Sequence, residues 1–239
     1  MQKKIVVHMY LKNGKAVTGF DGKELLEDGD VMSIAQHYSN NGADELLIFD
    51  LSDDDADHEQ SLNLIRQISR VIDIPMSGGG HIKNLEDVKK LLYAECQQVF
   101  LNYAKAANIE LTEEVSKRFG KEKIAICTDS FAQLQANKAR VNEYTSRVIL
   151  LCDEVDVRTT ARLVEVPVLP VSTRADRHGL LKLLMLDNIC GVCGDTFSDL
   201  NEDLMAAKLE AKKHGVEINT FESKMSWNEL KLNSDGMIP

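Results

Sequence analysis

Residues 72–92 read Ile72-Asp73-Ile74-Pro75-Met76-Ser77-Gly78-Gly79-Gly80-His81-Ile82-Lys83-Asn84-Leu85-Glu86-Asp87-Val88-Lys89-Lys90-Leu91-Leu92. An apolar run of strand length, Ile72–Met76, passes into three consecutive glycines. Beyond them Leu85, Val88, Leu91 and Leu92 fall at the spacing of one helix face. Strand, turn and helix in that order make one unit of a parallel α/β fold. Outward in both directions the alternation repeats. Apolar runs occur at Ile5–Met9, Leu46–Leu51, Gln98–Asn102, Lys123–Thr128, Arg147–Cys152, Val166–Val171 and Gly191–Gly194, and helix spacing returns at Leu204, Ala207, Leu209 and Ala211. Runs apolar on both faces and separated by helices imply a parallel sheet with right-handed crossovers. Eight such units in 239 residues favour a single (β/α)₈ TIM barrel over a doubly wound open sheet. No G-x-G-x-x-G follows the first run, which weakens the dinucleotide-binding alternative.

Composition agrees. Hydrophobic residues make up 44% and aromatics 5%, as an aliphatic barrel core requires, and the length suffices to bury that core without disulfides or metals. A formal charge of −10 argues against nucleic-acid or anionic-membrane partners, which need a basic face. A small anionic ligand stays possible, because backbone N–H groups can hold phosphate without net charge. No apolar run approaches the ~18 residues of a membrane span. Met1 leads through Lys3 and Lys4 into strand-like Ile5-Val6-Val7, so a cytoplasmic chain without a leader is expected. Five cysteines on mostly apolar segments read as reduced core thiols.

A barrel carries its chemistry where strands end. The residues singled out by that rule are Tyr10, Asp50, Gly78–Gly80, Asn102, Asp129, Asp153, Thr173 and Gly194-Asp195. Three glycines at a strand end let the backbone approach a ligand, and phosphate is the natural partner for exposed N–H groups ahead of a helix starting near Asn84. A tight turn with no ligand explains the same glycines equally well. Asp53, Asp55 and Asp57 mimic the start of a calcium loop, but His58 and Leu64 stand where that loop needs Gly and Glu, so a solvated helix N-terminus is the better reading. Cys190 and Cys193 have metal-ligand spacing without a second pair and read as core packing; His8 and His81 lie at plausible places without ligand partners. No G-x-S-x-G elbow supports nucleophilic catalysis. No metal and no cofactor are expected.

Several stretches taken in order resemble the cyclase subunit of imidazole glycerol phosphate synthase, a HisF-like barrel of histidine biosynthesis. They are Val7–Val17, Gly42–Asp50, Ile74–Gly80, Asn84–Val88 and Phe100-Leu101-Asn102. The resemblance is specific over about residues 4–129 and weak beyond. It implies a substrate with two phosphates, one per half-barrel, and two catalytic aspartates at the ends of strands one and five. Gly79, Gly80 and Asn102 match the first phosphate position, with Asp50 and Ser77 in the substrate pocket. Asp129 matches the strand-five aspartate. Tyr10 replaces the strand-one aspartate, and Thr18 replaces a lysine. A phenol with an unperturbed pKa near ~10 is a poor general base at neutrality. Tyr103 replaces a small hydroxyl residue beside Asn102. In the second half Ser172-Thr173-Arg174 lacks the family's glycine pair, and Asp195 brings negative charge to the other phosphate position, which Arg174 could offset.

The final Lys231–Pro239 resemble the opening of phosphoribosyl-AMP cyclohydrolase. The expected organisation is therefore a barrel over 1–222, followed by a linker and the start of a fused cyclohydrolase domain over 223–239; a chance match in a tail is the alternative. Three functions stay open. One is a degenerate phosphosugar-binding or scaffold barrel, with a phosphorylated ribonucleotide as ligand. Another is a working ammonia-dependent cyclase (lyase) or a related phosphoribosyl isomerase. The third is an unrelated ligand or docking role. The resemblance also implies a glutaminase partner on the opposite barrel face, and the sequence does not say whether that face survives.

Overall fold

A computed structural model describes residues 2–153 and 155–220. Its strands are β1 (Lys4–Lys12), β2 (Lys15–Thr18), β3 (Glu24–Leu25), β4 (Glu45–Asp50), β5 (Met76–Gly79), β6 (Gln98–Asn102), β7 (Ile124–Thr128), β8 (Arg147–Leu151), β9 (Val168–Ser172) and β10 (Gly191–Gly194). Parallel pairing runs β1-β4-β5-β6-β7-β8-β9-β10, and β10 pairs back onto β1 through Lys4–Gly191 to Val6–Cys193. Eight parallel strands thus close on themselves with helices between them: a (β/α)₈ TIM barrel.

Alternation along each strand divides the apolar side chains into two shells. On β1, Ile5, Val7, Met9 and Leu11 face the helices, while Val6 and Tyr10 face the barrel axis. The inner shell also holds Leu47, Phe49, Phe100, Ala125, Ile149 and Leu169. The outer shell is larger and receives helix residues such as Leu62, Ile65, Val88 and Leu91. The helix Leu85–Tyr93 begins at Asn84, whose side chain accepts from Glu86 N and Asp87 N while Asp87 returns a bond to the Asn84 N–H. Across the seam, buried Lys208 reaches Asp44 at 2.5 Å, and Asp44 also accepts from Ile5 N, tying the helix Leu204–Lys213 to the entry of β4.

Two features depart from the sequence reading. The third barrel strand is Met76–Gly79 and not Ile72–Met76, so Gly78 and Gly79 form barrel wall and only Gly80 is turn. A Cβ at Gly79 would collide with the Phe100 ring, and one at Gly78 would lie 2.9 Å from Cys96 Sγ. These glycines make room for neighbouring side chains within the sheet. Between β1 and β4, the unforeseen strands β2 and β3 form an antiparallel extension of β1. The acidic stretch after β4 is a helix start: Asp54 caps the helix Asp55–Ile68 by accepting from Asp57 N. Among the described residues no helix is long and apolar enough to cross a membrane. The barrel boundary at 222 and Lys231–Pro239 lie outside the described residues.

Candidate functional site

At the C-terminal rim, the loops after β4, β5, β6 and β7 surround a cleft of about 410 Å³. It brings together Asp50, Gly79, Gly80, Asn102 and Asp129, five of the residues singled out from sequence, and adds Lys12, His81 and Lys105. Gly80 has φ 110°, and a Cβ there would strike the Asp50 backbone, so only glycine lets this turn pass so close to β4. Asn102 Oδ1 accepts from Ala104 N at 2.9 Å, shaping the approach to the helix Ala106–Phe119. Asp129 is exposed at the end of β7. Asp50 borders the cleft, but its carboxylate is engaged elsewhere. It accepts from Ser52 N and Ser52 Oγ and meets Nδ1 of buried His58.

Tyr10 does not line this cleft. Its ring packs against Phe20 (4.7 Å between centroids), His8 (4.9 Å) and Phe49 (5.4 Å), and Phe49 continues to Phe100 at 5.0 Å. Phe20 comes from the link between β2 and β3, so the extension missed in the sequence supplies part of this plug. Tyr10 is 2% exposed and its hydroxyl has no partner among the described residues. Burial first, and the Asp195 carboxylate next, push its pKa far above that of a free phenol. Tyr10 is thus held protonated.

Tyr10 borders a second cleft of about 360 Å³ between β1 and the loop after β10, with His8, Glu27, Asp195, Ser198 and Asp199. His8 Nε2 lies 3.1 Å from Asp195, and its Nδ1 lies 3.1 Å from Ser198 Oγ. Three carboxylates in this lining oppose an anion. Beside it, Asp153 accepts from the Ser172 hydroxyl and from Thr173 N and Oγ1. Burial works upward on Asp153, but these bonds outweigh it and hold the carboxyl below its ordinary value. The donors at the end of β9 therefore serve a carboxylate of the same chain.

Ser77 does not join the site. Because β5 begins at Met76, Ser77 sits at the N-terminal end of the axis, donating to Glu45 Oε1 at 2.7 Å. Arg147 makes a two-pronged bond to Glu45 (2.6 and 2.9 Å), and Lys4 adds a third cationic contact at 3.1 Å. Burial opposes ionisation of Glu45, but the Arg147 charge prevails and holds its carboxyl at about 2. Tyr103 likewise points away from the mouth, fully buried with its hydroxyl on Thr112 at 2.9 Å. Among the described residues no group of three or more His, Cys, Asp or Glu side chains is arranged to hold a metal ion.

The sequence pattern of the histidine biosynthesis protein family matches residues 4–187. The imidazole glycerol phosphate synthase subunit HisF of Flavobacterium psychrophilum is 32% identical over 130 residues, 54% of this chain and 52% of its own length. That of Haemophilus influenzae is 31% identical over 162 residues, 67% of this chain and 60% of the relative. That of Helicobacter hepaticus is 33% identical over 132 residues, covering 54% and 51%. The aligned part spans about half the length of the curated relatives it matches. A closed eight-stranded barrel and a family match across most of the described residues agree with one another: the chain belongs to the histidine biosynthesis protein family.

Proposed function

We propose that this HisF-like barrel binds one phosphate of a phosphorylated ribonucleotide in its first half and does not itself run the cyclase reaction. The observation that carries the reading is the aromatic plug. Phe20, Phe49 and Phe100 crowd the corner where β1 ends, and Tyr10 presents a protonated, buried hydroxyl there in place of a carboxylate. General acid–base catalysis needs a pair of groups whose environments set them to opposite protonation states near neutrality. Asp129 alone supplies half of such a pair.

The first cleft supports phosphate binding through the Gly80 turn, the Asn102 loop and the cations Lys12 and Lys105. The second cleft, with Glu27, Asp195 and Asp199, disfavours a second phosphate. At the other end of the axis, Glu45, Arg147 and Ser77 form a buried polar cluster beside a cavity of about 460 Å³. A cyclohydrolase fused beyond Pro239 stays a separate proposal resting on Lys231–Pro239 alone, tested by reading the coding sequence onward.

Asp129, exposed in the cleft, favours a second reading, an ammonia-dependent cyclase in which it is the general acid. The deciding experiment supplies the cyclase substrate and excess ammonium to the natural chain and to Asp129→Asn, with binding followed by calorimetry. Substrate binding weakened by Asn102→Ala, without turnover, is the expected result. Turnover that disappears in Asp129→Asn would overturn the proposal in favour of the enzyme. Neither binding nor turnover would leave the barrel a scaffold.

A further inference from the structure

We propose that His81 is the positioning residue of the phosphate cleft, a doubly protonated imidazole that holds the Gly80 turn by bridging the Ser52 carbonyl and the Asp55 carboxylate. The proposal rests on reading that cleft as a phosphate site. His81 follows Gly80 directly and has φ 49°, a left-handed conformation uncommon for a residue with a Cβ. Two consecutive positive φ values make a turn that needs holding. Its Nδ1 lies 3.0 Å from Ser52 O and its Nε2 lies 2.7 Å from Asp55 Oδ1. Both partners are acceptors. Each ring nitrogen must therefore carry a proton for both contacts to be hydrogen bonds, which makes the ring a cation.

The neighbours fit that assignment. Lys83 also donates to Asp55 Oδ1, at 2.6 Å, and the His81 and Lys83 bonds together hold that carboxyl down to about 2. On one ring face His58 stacks at 4.8 Å between centroids and 25° between planes. His58 is 2% exposed, its Nδ1 meets Asp50, and its Nε2 has no partner. A buried Nε2–H without an acceptor is costly, and a second stacked cation would repel the first. The charge accordingly resides on His81, while His58 is neutral and donates from Nδ1 to Asp50. The remaining charges around the cleft are the Lys12–Asp53 pair at 3.0 Å, Lys105 and Asp129.

The consequence is a clamp that depends on one proton. When His81 is charged, the turn after β5 is tied to the loop after β4. When it is neutral, one nitrogen presents a lone pair to an acceptor and that tie is lost. A ligand held by the backbone of the turn binds while both ring nitrogens donate and weakens when either bond is lost.

The test follows amide shifts of Gly80 and Ala104 by NMR as sulfate is added. Sulfate is chosen because, unlike phosphate, it keeps one charge state near neutrality. His81→Gln, which cannot reproduce the two-nitrogen bridge, should bind sulfate about tenfold more weakly than the natural chain. Asp55→Asn, changed at an exposed carboxylate, should weaken binding less, because the bond to the Ser52 carbonyl remains. ¹⁵N spectra of the imidazoles in the folded chain should show both His81 nitrogens protonated, and His58 protonated on Nδ1 only. Sulfate binding that is unchanged in His81→Gln overturns the clamp and leaves the phosphate reading standing. If neither sulfate nor inorganic phosphate moves these amides at any pH, the phosphate reading falls and takes the clamp with it.

Discussion

Tyr10 concentrates the question of what this barrel does in one hydroxyl group. Its ring is well used, packed against Phe20, Phe49 and His8, but the oxygen is buried without a partner. An unpaired buried hydroxyl costs about 1–3 kcal/mol relative to an apolar group of the same shape. Tyr10→Phe should therefore raise stability, by up to about 3 kcal/mol, in urea unfolding. A loss of stability would show the oxygen to be bonded, to a ligand or a water, and would reopen its candidacy as an acid–base group. The same surroundings predict that Tyr10→Asp does not restore a general base. A carboxyl there sits among aromatic rings near Asp195, so burial and like charge both keep it protonated. Its expected signature is a destabilised fold and no ammonium-dependent turnover.

Strand β5 shows how an element can be recognised and still be placed wrongly. The sequence offered an apolar run, Ile72–Met76, and three glycines, and glycine normally punctuates a strand rather than composing it. In the barrel, however, Gly78 and Gly79 pair with Val99 and Phe100 of β6, and their missing side chains are filled by Phe100, Leu91 and Cys96. Such complementarity between strands distant in sequence leaves no local trace. Strands β6 and β10, with ordinary side chains along them or tight bounds around them, fall on the residues expected. Much of the lining of the candidate cleft was legible, because Asp50, Asn102 and Asp129 are polar residues closing apolar runs, a local signal, whereas Phe20 reaches the mouth only through the β2–β3 extension. Ser77 lies away from that cleft because β5 begins at Met76, where the sequence placed the end of the strand. Gly79→Ala should thus act as overpacking, destabilising by about 1–3 kcal/mol, with part of that recovered when Phe100→Ala is added. Equal effects of Gly79→Ala in both backgrounds would mean that backbone conformation, and not the Phe100 ring, requires the glycine.

Across the whole barrel the two ends of the axis are set by opposite chemistry, an aromatic plug at the mouth and a buried ion pair at the base. Glu45 opens β4 and Arg147 opens β8, on opposite sides of the ring of strands, so their two-pronged contact spans the barrel. Both are more than nine-tenths buried, and Ser77 and Lys4 complete the coordination of the carboxylate. Removing one partner strands a charge. Arg147→Met is expected to destabilise by about 3–5 kcal/mol at neutral pH, while the double change with Glu45→Met should be far milder. The pH dependence has a definite sign. Glu45 is held at about 2 in the folded chain against an ordinary value of 4.5, so the unfolded chain binds the extra proton first. Stability from the pair is complete above about pH 5 and is lost progressively as pH falls toward 2. Arg147→Met should lose this contribution and suffer less at pH 4 than at pH 7, since a protonated Glu45 no longer needs a counter-charge. Urea unfolding at both values decides it: a penalty as large at pH 4 as at pH 7 would mean that packing of the arginine stem, and not its charge, stabilises the base of the barrel.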